Sequence, residues 1–222
     1  MILPDGWIPI SLGYNCFVRV FLQEFVKATP RYPFDWTGTP MWSICELMDS
    51  DFEGMNRREW LTVRRRFPDS TEEYLTNTKY NMVFLHDYGK NPHVIPDDVY
   101  ARVEDDYKRR IDRWRLAIHG KQPLLFFRVE TPDRPRLVYE GSTRPKSEME
   151  SLCEFSMKLK TIGTEFRIIH ITHSQPQGYD AERKIINLNY TPKDPKLVIQ
   201  GRHIQAIIHA NQTFIKECLA DR

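Results

Sequence analysis

Cysteine is scarce in this chain of 222 residues: Cys16, Cys45, Cys153 and Cys218 are scattered, with no CxxC and no short paired spacing. That scatter suggests neither a disulfide framework nor a zinc knuckle, and a reducing compartment is the default. HExxH and EF-hand patterns are missing, so no protein-bound metal is expected. GxGxxG and the P-loop pattern are missing too, which removes the ordinary grounds for dinucleotide or P-loop chemistry, and no cofactor is expected. No apolar run approaches the roughly 20 residues of a spanning helix. The opening MILPDGWIPI has neither the basic start nor the long apolar stretch of a secretory signal. A soluble, cytoplasmic protein is therefore expected, with no membrane partner. Charge of one sign is also lacking. Lys plus Arg number 32 and Asp plus Glu 30, a formal net charge of +2, too balanced for an obligate nucleic-acid coat or a polybasic membrane anchor.

What is present is enough for a core: 41% of residues are hydrophobic and 12% aromatic. The length suits one domain over 1–222. The apolar runs are short and β-rich: WIPISL (7–12), NMVFLH (81–86), PLLFFRV (123–129), FRIIHIT (166–172) and KIINLN (184–189). Continuous runs of this length, bounded by Gly, Pro, Asn or Asp, fit strands buried on both faces. Helical patterns lie between them. Residues 16–27 place Phe17, Val20, Phe21 and Phe25 on one face. Residues 97–119 repeat Val99, Val103, Tyr107, Ile111, Trp114 and Ile118, with Asp97 or Asp98 as N-cap and Gly120 beyond the end. Residues 147–160 open with a capping box, Ser147 and Glu150, and residues 202–219 form a closing helix. The alternation predicts an α/β fold: a mostly parallel sheet with helices on both faces. A helical insertion over about 28–80, rich in Pro, Trp and Arg, follows the first strand. RRRF (64–67) within it reads as solvated surface, and 131–148 reads as a loop.

Open α/β sheets bind ligands beyond the carboxyl ends of their strands, where strand order reverses. The first strand runs into Gly13, Tyr14, Asn15 and Cys16; the second into His86 and Asp87; the third into Arg128 and Glu130; the fourth into His173 and Ser174; the fifth into Asn187 and Asn189. Cys16 is the sharpest case. A cysteine at a helix N-terminus meets unbonded N–H groups and the positive dipole end, which favour the thiolate. Gly13 permits the tight turn before it. A packed, inert thiol is the other reading of Cys16. A nucleophilic cysteine needs a nearby imidazole, and His86, behind MVFL, is the best candidate base. His119, His203 and His209 fall in or just after helical patterns. His170 and His173 point to opposite sides of a strand and make a poor metal pair.

SLGYNC (11–16), YPFDW (32–36) and MVFLHDY (82–88), taken together, resemble the DUF1796 family, described as a putative papain-like cysteine peptidase, in which SLGxxC precedes PFDW and an FxHD segment. The likeness extends through YKRRIDRW (107–114) and LLFFRVE (124–130), covers most of residues 10–130 and thins out beyond. It implies Cys16 as nucleophile, His86 as general base, and Asp35 or Asp87 as the acid that orients the imidazole.

Three functions compete. The first is a cysteine-dependent hydrolase of peptidase or amidase type, with Cys16, His86 and Asp35 as catalytic residues and a peptide or small molecule as substrate. The second is a non-covalent α/β enzyme or binding domain for an anionic or sugar-containing ligand. There Asn15, His86, Asp87, Arg128 and Glu130 line the site, Arg128 supplies a planar fork, and Cys16 only packs. The third is a nucleic-acid module built on Arg57, Arg58, Arg64, Arg65 and Arg66 with Trp60 and Phe67, which the balanced net charge disfavours.

Overall fold

The computed structural model describes residues 6–14, 16–27, 30–65, 71–89, 94–130, 146–191 and 200–221. Two sheets organise them. Sheet A has the order β1 (Ile8–Ser11), β6 (Leu124–Val129), β7 (Phe166–Thr172), β9 (Ile185–Asn189), β8 (Gly178–Asp180). Its first four strands are parallel and β8 closes the edge antiparallel to β9. These four parallel strands coincide with four of the five apolar runs, because strands covered on both faces have no polar side to show in the sequence. Their spatial order follows chain order, so they contain no reversal of the kind that opens a crevice in doubly wound sheets.

The segment expected as a helical insertion is mixed instead. It holds one long helix, α2 (Met41–Asp49), and the strands β2 (Thr37–Gly38), β3 (Leu61–Arg65) and β4 (Glu73–Asn77). With β5 (Met82–Phe84) they form an antiparallel sheet B in the order β2-β5-β4-β3. NMVFLH therefore belongs to sheet B and not to the parallel sheet. The physical reason is that β5 is buried along its whole length, which makes an antiparallel core strand read like a parallel one. Residues 64 and 65 of RRRF lie on β3, while 66 and 67 fall outside the described residues.

Successive residues of β6 enter different cores, as the pleat requires. Leu124 and Phe126 pack with Trp114 of α3 (Asp97–Ile118) and with Leu152 and Phe155 of α4 (Glu148–Ile162). Leu125, Phe127 and Val129 pack with Val18 and Phe21 of α1 (Cys16–Phe25), Ile204 of α5 (Gly201–Ala210) and Ile215 of α6 (Gln212–Ala220). The first core also takes Leu75, Met82 and Phe84, so sheet B shares it with sheet A. Trp114 sits at its centre, fully buried, with Phe34 edge-on at 5.3 Å between centroids.

Helix boundaries follow local chemistry with two differences. The capping box at Ser147 and Glu150 forms as the sequence predicts. The N-cap of α3 is Pro96, and Asp97 and Asp98 occupy the first turn, where they complement the dipole without capping. The expected closing helix is two helices, α5 and α6, separated at Asn211, whose side chain donates back to Ile207 O at 2.9 Å.

Candidate functional site

After β1 the chain turns sharply. Gly13 takes φ +69°, and its N–H donates to Ser11 Oγ at 3.1 Å. A Cβ at this position would lie 3.1 Å from Phe34 O and 3.3 Å from Thr37 Oγ1. Conformation and packing therefore both require glycine. Tyr14 follows at φ +79°, a left-handed conformation that a non-glycine residue adopts at a cost. Asn15 lies outside the described residues. Cys16, half-buried, opens α1, so its thiol sits at the end where backbone N–H groups lack helical partners.

The PFDW segment packs directly on this turn. Asp35 N–H donates to Tyr32 O at 3.2 Å, and Tyr32 N–H returns a bond to Asp35 Oδ2 at 3.0 Å. Thr37 Oγ1 donates to Phe34 O at 2.9 Å. Asp35 is fully buried and lies 3.5 Å from Arg19 Nη1, three residues beyond Cys16 on the same helix. Arg19 Nη1 also donates to Pro30 O at 3.0 Å. Burial pushes the Asp35 carboxyl up from 3.8 to about 6, against the opposing pull of Arg19 and the Tyr32 N–H. The other carboxylate oxygen, Oδ1, has no hydrogen-bond partner among the described residues.

Trp36, at φ +65°, carries the arrangement onward to His86. Their rings meet edge-on with centroids 5.0 Å apart and planes at 79°. The backbones are joined as well: Leu85 N–H donates to Trp36 O at 3.2 Å, and Thr37 pairs with Phe84 and Gly38 with Val83. His86 is exposed at the head of a turn that Gly89 N–H closes on His86 O at 3.3 Å. The three motifs thus converge on residues 34–38: SLGYNC through Gly13, with Arg19 of the helix that follows it, and FLHD through Trp36 and the β2–β5 pairing.

Asp87 turns toward α3. Its Oδ2 accepts from Tyr107 Oη at 2.9 Å and its Oδ1 from Arg110 Nη2 at 2.8 Å, with Arg110 almost wholly buried. Burial, then the neighbouring Asp87, pushes the Tyr107 phenol well up. The charge of Arg110 is also felt at Asp35, so one guanidinium serves the acids of both motifs. The sequence signal for this was YKRRIDRW, in which Tyr107 and Arg110 stand three apart on one helix face.

Arg128 is fully buried. Its Nε and Nη2 bind the two carboxylate oxygens of Glu148, and its Nη1 donates to Leu12 O at 2.7 Å and Thr39 O at 2.9 Å. The guanidinium carbon lies 5.2 Å from the Tyr14 ring centroid. It joins the carbonyls of the SLG turn, the end of β2 and the start of α4. Glu130, farther along the same edge, accepts from Thr172 Oγ1 and from Ser174 Oγ at 2.7 Å, with His173 Nδ1 at 3.5 Å. Burial raises this carboxyl, yet the Thr172 and Ser174 hydroxyls and the two histidines together hold it below its usual range. His170 is buried within β7, where its Nδ1 meets Asn187 Oδ1 at 2.9 Å, and burial lowers its pKa.

Of the basic surface, Arg57 meets Glu53 at 3.3 Å and Arg58 meets Asp97 at 2.5 Å, while the Trp60 ring carries Arg57 and Lys79. No group of three or more His, Cys, Asp or Glu residues able to hold a metal occurs among the described residues. No described helix is long and apolar enough to cross a membrane. One pocket lies between α2 and α4, lined by Met48, Met149 and Met157; neither Cys16 nor His86 borders it.

No curated protein and no solved structure matches this chain. A family model described as "Putative papain-like cysteine peptidase (DUF1796)" matches residues 7–176, which takes in all three converging motifs, and the chain belongs to that family.

Proposed function

We propose that this protein is a cysteine-dependent hydrolase acting on an amide or peptide bond, with Cys16 as nucleophile and His86 as general base. The observation that carries the reading is the convergence on residues 34–38, where Gly13 abuts Phe34 and Thr37 while the Trp36 ring holds that of His86. In the reaction, His86 takes the Cys16 Sγ proton and the sulfur attacks the substrate carbonyl carbon. The N–H groups at the start of α1 face the developing oxyanion. The C–N bond then breaks as His86 returns the proton to the leaving amine, and water hydrolyses the thioester, regenerating the thiol.

Asp35 acts as a positioning residue in this proposal. It ties α1 to the PFDW turn through Arg19, and it orients the imidazole through its neighbour Trp36. Arg128 holds the turn before Cys16 by its two bonds to Leu12 and Thr39 carbonyls. With its donors engaged internally, the reading as a binding domain for an anionic ligand loses its planar anchor. The test is mass spectrometry after incubation with a simple activated ester. We expect one acyl adduct on Cys16, absent in Cys16→Ala and formed at least tenfold more slowly in His86→Ala, since general-base assistance contributes roughly 10²–10⁴-fold. An adduct that persists in Cys16→Ala would contradict the assignment.

A further inference from the structure

Glu130 and His173 leave sheet A at its carboxyl edge, each the residue after its strand, β6 and β7, and the reaction proposed above gives neither a part. Glu130 is the hub of a tight arrangement. Ser174 Oγ lies 2.9 Å from its Oε1 and 2.7 Å from its Oε2, and Thr172 Oγ1 donates to Oε2. Thr172 Oγ1 in turn accepts from the N–H groups of Ser174 and Gln175, each at 3.1 Å, so the turn after β7 is wound on this one carboxylate. Tyr190, just past β9, donates through Oη to Glu130 O at 3.1 Å.

Anchoring the turn accounts for the carboxylate and the two hydroxyls, but not for the imidazole beside them. His173 turns its Nδ1 inward, where that atom is buried and 3.5 Å from Glu130 Oε2, while 25% of the side chain stays exposed. A carboxylate facing Nδ1 favours the tautomer protonated there and leaves the lone pair on Nε2. This is the relation of a general base to the acid that orients it.

The edge is the one from which Cys16 is delivered. β1, β6 and β7 run parallel and in register, Ser11 beside Phe127 and Val129 beside Ile171. The turn that carries Cys16 leaves β1 against the end of β6: Leu12 N–H donates to Phe127 O at 2.9 Å, and Arg128 holds Leu12 O. Two strand spacings, about 10 Å, separate β1 from β7, a width that a thioester, a water and an imidazole fill in line.

We infer that His173, oriented by Glu130, is the general base of the second half of the reaction, the hydrolysis of the acyl-enzyme. The inference rests on the reading of Cys16 as nucleophile. His173 Nε2 takes a proton from water as the water oxygen bonds to the thioester carbonyl carbon. The C–S bond then breaks, the acyl group leaves as a carboxylic acid, and the proton passes from Nε2 to the Cys16 sulfur. Glu130 touches no reacting atom and is a positioning residue.

Stopped-flow kinetics with p-nitrophenyl acetate separates the two halves, because the burst of nitrophenol reports acylation and the steady rate reports hydrolysis of the thioester. In His173→Gln a burst of about one equivalent is expected, followed by turnover at least tenfold below wild type, since general-base assistance contributes roughly 10²–10⁴-fold. The acyl adduct on Cys16 should persist correspondingly longer in mass spectra. Glu130→Gln should show the same split, and the double variant should lose no more than His173→Gln, because the two residues act as a unit. Imidazole in solution should restore turnover to His173→Ala, a rescue that a purely structural role would not give. The partly exposed His173 reports even where Glu130→Gln fails to fold. Turnover at the wild-type rate in His173→Gln, or a loss of burst and turnover together in the folded variant, would overturn the assignment of His173. Absence of any adduct on Cys16, in His173→Gln as in wild type, would instead overturn the nucleophile and this inference with it.

Discussion

Gly13 is where backbone and packing make the same demand, which makes it the most sensitive single position of the site. Gly13→Ala must hold φ +69° with a Cβ pressed 3.1 Å from Phe34 O. Destabilisation of about 1–3 kcal/mol is expected in urea denaturation, together with a loss of esterase turnover, because the displaced turn carries Cys16. Asp35 makes a different prediction. Unfolded, it ionises near 3.8; folded, near 6. Between those pH values the folded chain keeps a proton that the unfolded chain has released. Its contribution to stability is therefore fully present below 3.8 and lost as pH rises through 6. Asp35→Asn has no such proton. Wild type should lose about 2 kcal/mol relative to Asp35→Asn between pH 4.5 and 7, read from paired denaturation curves. A difference independent of pH would show that the carboxyl titrates normally. Residue types alone marked Cys16, Gly13 and His86 as candidates. They did not reveal that Arg128 is closed off, because its partner Glu148 is twenty residues away and begins a different helix.

At the scale of elements, legibility depended on how each strand is covered. β6 and β7 are buried at every position, and their apolar runs locate them within a residue. Three of the four strands of sheet B were missed for the opposite reason. LTVRR and EYLTN mix charge with apolar residues, and β2 is two residues long, so neither pattern nor length separates them from loop. The break between α5 and α6 falls at an asparagine with no proline or glycine to announce it. The clasp of α3 on the FLHD turn is the element-level contact most open to test. Asp87→Ala strands Arg110, which is 2% exposed, without its carboxylate. A cost of about 3–5 kcal/mol is expected, as for other broken buried pairs. Asp87→Ala combined with Arg110→Met should recover part of it. Full additivity of the two substitutions in a double-mutant cycle would mean that the pair does not couple.

Over the whole molecule, the candidate site sits where two sheets meet and not at a reversal within one. β1 is the edge strand of sheet A, and the chain leaving it packs on residues that immediately enter sheet B. Cys16 is delivered by the parallel sheet and its helix, and His86 by the antiparallel one. Sequence motifs could signal both residues, but the meeting of the sheets depends on long-range pairing that no local pattern encodes. The same architecture isolates the other thiols. Cys45 is buried with its pKa pushed up to about 12, chiefly by burial, and burial also raises that of Cys153. Thiolate is the reactive form, so neither should compete with an activated cysteine below neutral pH. Activation of Cys16 by His86 would show in the iodoacetamide alkylation rate of each cysteine near pH 6, read by peptide mass spectrometry. Cys16 is expected to react at least tenfold faster than Cys45 and Cys153, and His86→Ala to remove the advantage. Equal rates at Cys16 and Cys153 in the folded wild-type protein would contradict it.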